Sequence, residues 1–393
     1  MYVLDPKAMD DVLAFQNRFY PGNVEVRVPG SSYEVGVKQT SGYAEVSFRT
    51  GLMGVPITGN AGVKVIRTKL EVLQGVTGGP QPYGLPNLPN GTVTTDREFT
   101  DTLPAVNLAF ELAENLKLRV AYAKTMTLLD LNQWGGGLNP SYAIDTSGPT
   151  PIFRVTRGSQ AGNPQLDPWR AENFDGSLEW YVGRGSLVSV GAFYIKVDSF
   201  IQSGNVTRTD LPDNDGVVRN RTVSITTPIQ GEGGTLKGLE AGAKIAFSDL
   251  PILADGPLAN FGIDANVTYS PSKSGQTDLA GDDIPFQDNS KYQYNAAIYY
   301  QDAKLQARLA WNYRSERAVQ SDYSGLRGLE VYQAPTSYVD ASVSYDVTPN
   351  LTLYGQGSNL TGEYERYYLT WKDERAYNNV FETRYTFGAR VKF

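Results

Sequence analysis

The chain has 393 residues, 35 basic against 42 acidic side chains and a net charge of −7, and it contains neither cysteine nor histidine. Those absences exclude a disulfide framework, thiolate metal sites and every histidine-dependent triad, leaving an enzyme only carboxylates, Lys or Tyr to work with. The 25 Tyr and 40 Gly suit a β-rich protein with long loops; the charge balance lacks a nucleic-acid footprint, and no apolar run approaches the ~18 residues of a spanning helix.

The opening "MYVLDPKAMDD" has no cationic start and no apolar run, so it does not read as a signal peptide. A short helix is expected near "PKAMDDVLAFQNRF". From there on the dominant signal is two-residue alternation. In "LKLRVAY", Leu116, Leu118, Val120 and Tyr122 share one face while Lys117, Arg119 and Ala121 share the other. In "FGIDANVTY", Phe261, Ile263, Ala265, Val267 and Tyr269 oppose Gly262, Asp264, Asn266 and Thr268. "LQARLAWNYR", "YVDASVSYDV" and the terminal "RYTFGARVKF" repeat the pattern. Each reads as a strand with one apolar and one wet face.

Thirteen such strands are expected, near 38–50, 57–69, 101–113, 116–127, 170–182, 186–201, 236–247, 260–271, 291–302, 304–314, 336–347, 351–362 and 380–393. In 186–201 neither parity is clean. Short connections such as "AENL", "VGRG", "DAK" and "VTPN" alternate with long ones near 70–100, 128–169, 202–235, 272–290, 315–335 and 363–379. In an antiparallel meander every second connection lies at the same end. One end therefore carries tight turns and the other large loops, as in an outer-membrane barrel. A soluble sandwich or propeller also alternates, but does not require the loop asymmetry or the aromatics at the ends of the apolar faces (Tyr122, Tyr269, Tyr313, Tyr345). The fold expected is all-β, an antiparallel transmembrane β-barrel in the cell outer membrane, with lipid against its outer face. The inner face tolerates Lys117, Arg119, Glu240, Lys244, Asp264, Arg308, Asp340, Arg390 and Lys392.

Thirteen is odd, whereas single-chain bacterial barrels have even counts. The expectation is that residues 1–37 are part of an extracellular loop leading into the first strand, and 38–393 the C-terminal part of a larger barrel. Several segments resemble the TonB-dependent outer-membrane receptors: "TDTLPAVNLAFELAENLKLRVAYAKTMT" as a strand hairpin, "GNPQLDPWRAENFDGSLEWY" as a "GNP-x-L-x-P" segment with its strand, "GEGGTLKGLEAGAK", "GSNLTGEYERYY" and the aromatic-terminated last strand. The resemblance implies a 22-stranded barrel of which these are the tenth to twenty-second strands, with the plug domain outside the chain. It also implies TonB as a partner through that outside part, and the barrel-assembly machinery through Phe393.

The function the resemblance implies is active uptake of a large scarce nutrient captured by extracellular loops. An oligosaccharide-type ligand is expected, with a siderophore–iron complex as the alternative. A porin, or a barrel adhesin or enzyme, fits less well; no catalytic residue, metal site or cofactor is assigned. The candidate ligand-binding residues are Trp134, Tyr323, Arg327, Arg366, Tyr367, Trp371 and Arg375, because rings stack on sugar or catecholate faces and Arg grips anions. The competing reading is that such rings pack loop on loop. "DLPDNDG" (Asp210, Asp213, Asp215) hints at calcium but lacks EF-hand spacing; a solvated acidic loop is the preferred reading. Glu172 and Asp175 are three apart on a strand and face opposite sides.

Overall fold

The computed structural model describes residues 11–22, 28–79, 87, 89–219 and 221–392. Phe393, expected to engage the assembly machinery, lies outside them, as do Pro6–Asp10 of the expected helix. The rest of that helix forms at Val12–Phe19, where the Asp11 carboxylate accepts the Ala14 N–H at 2.8 Å as its N-cap.

Thirteen long strands follow, each paired antiparallel with the next: β1 (Tyr33–Leu52), β2 (Val55–Thr77), β3 (Pro89–Ala113), β4 (Leu116–Thr127), β5 (Trp169–Tyr181), β6 (Leu187–Val197), β7 (Gly234–Ala246), β8 (Phe261–Tyr269), β9 (Tyr292–Gln301), β10 (Leu305–Arg314), β11 (Thr336–Thr348), β12 (Leu351–Ser358) and β13 (Arg384–Val391). All thirteen expected strands are present, and short and long connections alternate along them. The β1–β2 turn shows why the short ends close: Met53 and Gly54 both have positive φ (50° and 84°), the two-residue hairpin conformation that matches strand twist.

Cross-strand register fixes which residues share a face, because directly opposed residues point the same way. The chain Leu178–Val190–Ala241–Val267–Tyr294–Tyr313 runs through six strands on one face. Its members, with Ile263, Ile298, Leu309, Val343, Leu353 and Phe387, form an apolar belt open to the surroundings; Leu309 is 48% exposed and Phe387 80%. Water would penalise that belt at about 25 cal/mol per Å2, whereas acyl chains would not. The opposite face is polar. There Arg119 donates to Glu179 at 2.9 Å, Asn295 to Asn266 at 2.8 Å, and Arg308 lies 3.9 Å from Asp264. Glu172 and Asp175 lie on opposite faces, Glu172 outward beside Lys124 (3.8 Å) and Asp175 lining an inner cavity.

One expectation needs correction. The segment 70–100 is not mainly loop: β2 continues to Thr77 and β3 begins at Pro89, while β1 starts at Tyr33 rather than near residue 38. The outward face of β2 explains this. Ile57, Gly59, Ala61, Val63 and Val65 fit a membrane crossing of about nine residues, after which come Arg67, which pairs with Glu98 of β3, and Lys69, 3.8 Å from the same carboxylate. Beyond that border the ribbon projects roughly 35 Å at about 3.3 Å per residue. It is free of the lipid-facing pattern because lipid no longer touches it. The mixed parity expected of 186–201 is present in β6. Pairing with β5 and β7 puts Val188, Val190 and Tyr194 outward, while Phe193, Ile195 and Val197 are also apolar but inward.

Among the described residues β1 and β13 are each paired on one side only. Being an even number apart in the antiparallel meander, they run in the same direction and cannot pair antiparallel with each other.

The lipid-facing assignment predicts that Leu309→Arg costs about 2–4 kcal/mol in a bilayer. Its inward neighbour Ala310→Arg, which faces Asp340, should cost less than about 1 kcal/mol. Denaturant unfolding from vesicles measures both.

Candidate functional site

The long connections fold into ordered units at one end of the sheet. In the first unit, strands 138–145, 152–160, 201–208 and 223–230 build on the outer end of β2, with Val76 bridging to Leu138. One core joins Val76, Leu138, Val155, Leu211, Val223 and Ile225; a second joins Leu70 and Val72 of β2 to Leu129, Trp134 and Leu166. These inward residues of β2 lie beyond the lipid border, so they can be apolar and still buried.

Trp134 lies in the second core. It is 0% exposed and donates its indole N–H to the Leu166 carbonyl at 2.9 Å. It therefore offers no ring face to a ligand in this conformation and packs loop on loop. The glycines that follow it are needed for close approach: a side chain at Gly135 would collide with the Tyr33 ring, and one at Gly137 with the Pro29 carbonyl.

The acidic "DLPDNDG" stretch is neutralised from within. Asp213, fully buried, accepts the Val155 N–H (2.8 Å) and ion-pairs with Arg219 (2.5 Å) and Arg221; Asp215 pairs with Arg219 (2.6 Å), and Asp210 with Arg208 (2.5 Å). The Arg219 guanidinium holds the Asp215 carboxyl down at about 2. Arginines fill the place a calcium ion would take, and no group of three or more acidic side chains among the described residues is arranged to hold a metal.

The second unit is a four-stranded antiparallel sheet made by the last two long loops, in the order 317–320, 331–333, 365–369, 375–379. It gathers six candidates: Tyr323, Arg327, Arg366, Tyr367, Trp371 and Arg375. Tyr367 is nearly buried, stacks on Tyr377 with centroids 4.4 Å apart, and donates to Glu365 at 2.6 Å. Burial, then the Glu365 carboxylate, push its hydroxyl up to about 12. Arg366 lies over the Tyr364 ring at 5.8 Å. Trp371, Tyr364 and Tyr377 remain 42–45% exposed and are free to stack on something outside. Arg375 is exposed at the hairpin end. Tyr323 is half-buried in a short 3-10 turn. Arg327 projects into a cavity of about 420 Å3 where three loops meet, lined also by Gln202, Glu232, Gln276 and Asp278, and its guanidinium lies 3.4 Å from the Gln202 side-chain oxygen.

Sequence reasoning missed Glu330. It is 0% exposed in the second unit, and no hydrogen bond of normal geometry reaches its carboxylate oxygens. Burial raises its carboxyl above the ordinary range, and Asp322 and Asp278 add to the rise, against the opposing pull of Ser321 and the Asp322 N–H. Nothing in the local pattern marks it, because its burial comes from a strand pairing made across two loops.

On the polar face of the wall, a cavity of about 910 Å3 near the turn end is bordered by Lys244, Lys304, Arg308, Arg390 and Lys392 with Asp264 and Asp346. This face forms a wet, charged lumen wall, as the alternation requires.

Residues 8–360 match the family model described as TonB dependent receptor-like, beta-barrel. Similar solved structures include the ferric enterobactin receptor PfeA of Pseudomonas aeruginosa (15% identity, TM-score 0.52, 91% of this chain and 54% of that one). The ferric-catecholate import receptor Fiu of E. coli K12 (14%, 0.58, 93% and 46%) and the copper transporter OprC (14%, 0.58, 91% and 48%) are further examples. No curated protein matches the sequence. The chain spans about half the length of the solved structures it resembles, and at these identities they speak for the fold alone.

Two outcomes are expected of the loops. Trp134→Ala should remove about 3–5 kcal/mol of local stability, seen as faster amide exchange through 128–169. Because the folded loop favours protonated Glu330, its packing is strongest in acid and weakens as pH rises from the ordinary carboxylate value through the raised one. Protection factors in 317–333, with the intrinsic rise of exchange with pH divided out, should fall over that window, and Glu330→Gln should flatten the dependence.

Proposed function

The chain belongs to the TonB-dependent receptor β-barrel family and is an outer-membrane β-barrel chain, and we propose that the receptor it forms part of actively imports a large, scarce, polyhydroxylated nutrient of oligosaccharide type. In this reading β1–β13 are thirteen strands of a larger barrel, with residues 1–37 leading in from an extracellular loop. Strands outside the chain satisfy the free edges of β1 and β13, since acyl chains cannot hydrogen-bond them. TonB supplies the energy; no residue described above is assigned to that contact.

The observation that carries the ligand class is the charge of the loops. Each of the five long connections that bear charge, 128–168, 198–233, 270–291, 315–335 and 359–383, holds more carboxylates than Lys and Arg. An acidic mouth repels polyanionic chelates over a Debye length of about 8 Å, while carboxylates accept hydrogen bonds from sugar hydroxyls. The exposed rings of Tyr364, Trp371 and Tyr377 supply flat apolar platforms, with Arg327, Arg366 and Arg375 as donors. A metal chelate is the second reading, favoured by what the structurally similar receptors bind according to their names.

The test is calorimetric titration of the purified receptor with neutral oligosaccharides and with ferric chelates. Saccharide binding that Trp371→Ala weakens about tenfold, the loss of one stacking contact of about 1.5 kcal/mol, is the expected outcome. Saturable chelate binding with no saccharide binding would overturn the ligand class.

A further inference from the structure

Four of the long connections meet at one short segment, residues 327–330. The Gly328 carbonyl accepts the Leu279 N–H at 2.9 Å and the Thr370 hydroxyl at 3.4 Å, which ties loop 315–335 to loops 270–291 and 359–383 at a single oxygen. Thr370 in turn accepts the Glu330 N–H at 3.1 Å. Arg327 reaches the Gln202 side-chain oxygen of loop 198–233 at 3.4 Å. The segment takes this path because Gly328 has a φ of 77°, which side chains disfavour, and its own N–H donates to the Asp322 carboxylate at 2.8 Å. Arg327 and Gly328, with Asp278 and Leu279 beside them, also form one wall of the cavity of about 420 Å3.

The last residue of this knot is Glu330, fully buried, with neither carboxylate oxygen partnered by a hydrogen bond of normal geometry. The charges that face it are of one sign. Asp322 comes from its own loop and Asp278 from loop 270–291, with Ser321 and the Asp322 N–H as the opposing donors. Asp278 has committed one oxygen to the Ala280 and Asp282 N–H groups, at 2.9 and 3.0 Å. On the sheet side Tyr332 stacks on Tyr368 at 5.6 Å, and Glu316 and Asp282 act on the Tyr332 hydroxyl. The nearby cation Lys372 is held by Glu316 at 2.9 Å. A neutral carboxyl fits such an enclosure. An ionised one without partners costs more than the few hydrogen bonds at Gly328 contribute. We propose that Glu330 is the catch of a pH-sensitive closure of the mouth: neutral, it stays enclosed and residues 327–330 hold the four loops together; ionised, it moves out to water, the Gly328 contacts part and the cavity loses a wall. The closed mouth binds the proton more tightly than the open one. Closure is therefore complete in acid and is lost as pH rises from the ordinary carboxyl value through the raised one. The device acts on loop position and is independent of which nutrient the receptor imports.

The experiment is pulsed dipolar distance measurement between spin labels on the folded protein in vesicles, from about pH 5 to 9, above the ordinary carboxylate range. One pair, Ala280→Cys/Asp373→Cys, spans the knot; a second, Ser147→Cys/Thr209→Cys, lies within the first unit, and all four positions are exposed. Across the knot a single short distance is expected in acid. A longer population should then grow, its ratio to the short one rising up to about tenfold per pH unit as Glu330 ionises. The first-unit pair should not respond. Glu330→Gln, neutral at every pH, should keep the short distance throughout. Glu382→Gln, which neutralises an exposed carboxylate of loop 359–383, should respond as the parent chain does. A distance across the knot that ignores pH, a response that survives in Glu330→Gln, or equal opening of the first-unit pair would each overturn the proposal.

Discussion

A backbone N–H or C=O surrounded by acyl chains must find its partner within the protein, since the solvent offers none. The rest of this molecule follows from that requirement. It forces the spanning segments into one continuous antiparallel ladder, β1 through β13, rather than into two stacked sheets. The ladder has two faces because strand side chains alternate, and each face is then assigned by what touches it. Leu178, Val190, Val267, Ile298, Leu309 and Val343 stand exposed on one side. Glu240, Lys244, Asp264, Arg308 and Arg390 line cavities on the other. Neither set would be stable with the faces exchanged.

The same requirement relaxes outside the lipid, and the structure changes character there. β2 crosses at Ile57–Val65 and then carries Arg67 and Lys69 on the face that was apolar, while its inner face turns to Leu70 and Val72 and takes up the Trp134 core. The long connections are built like a soluble protein, with two apolar cores, an arginine–carboxylate knot around Asp213 and a separate four-stranded sheet. An ordered mouth of this kind can hold exposed rings and cations in fixed positions, which a floppy loop cannot do without a larger entropic cost on binding.

How much of this the sequence discloses depends on which contacts set each feature. The wall strands were legible because lipid imposes a period of two on local sequence, and the tight turns because two residues such as Met53 and Gly54 suffice to make them. The outer halves of β2 and β3 were not, since beyond Arg67 no lipid enforces the period. β6 hid its parity because Phe193, Ile195 and Val197 face inward while Val188 and Val190 face outward, so both faces are apolar. In the loops, ring identity says nothing of environment: Trp134 and Trp371 look alike as candidates, but one is enclosed by Leu70, Val72 and Leu166 and the other stands half in water. Glu330 is buried by pairing between residues about 40 positions apart (Glu330 with Thr370), a distance over which no short pattern reports.

The absence of native cysteine allows the central claim, lipid outside and water inside a single β-sheet wall, to be read residue by residue. Single cysteines placed in turn from Leu305 to Tyr313 in the protein reconstituted in vesicles would be probed with a water-soluble maleimide and with acyl-chain nitroxide quenchers. The account requires a strict period of two, with 307, 309 and 311 quenched by lipid and unreactive, and 306, 308, 310 and 312 reactive and unquenched. Uniform reactivity along the strand, or reaction at 309 and 311 with protection at 308 and 310, would contradict it.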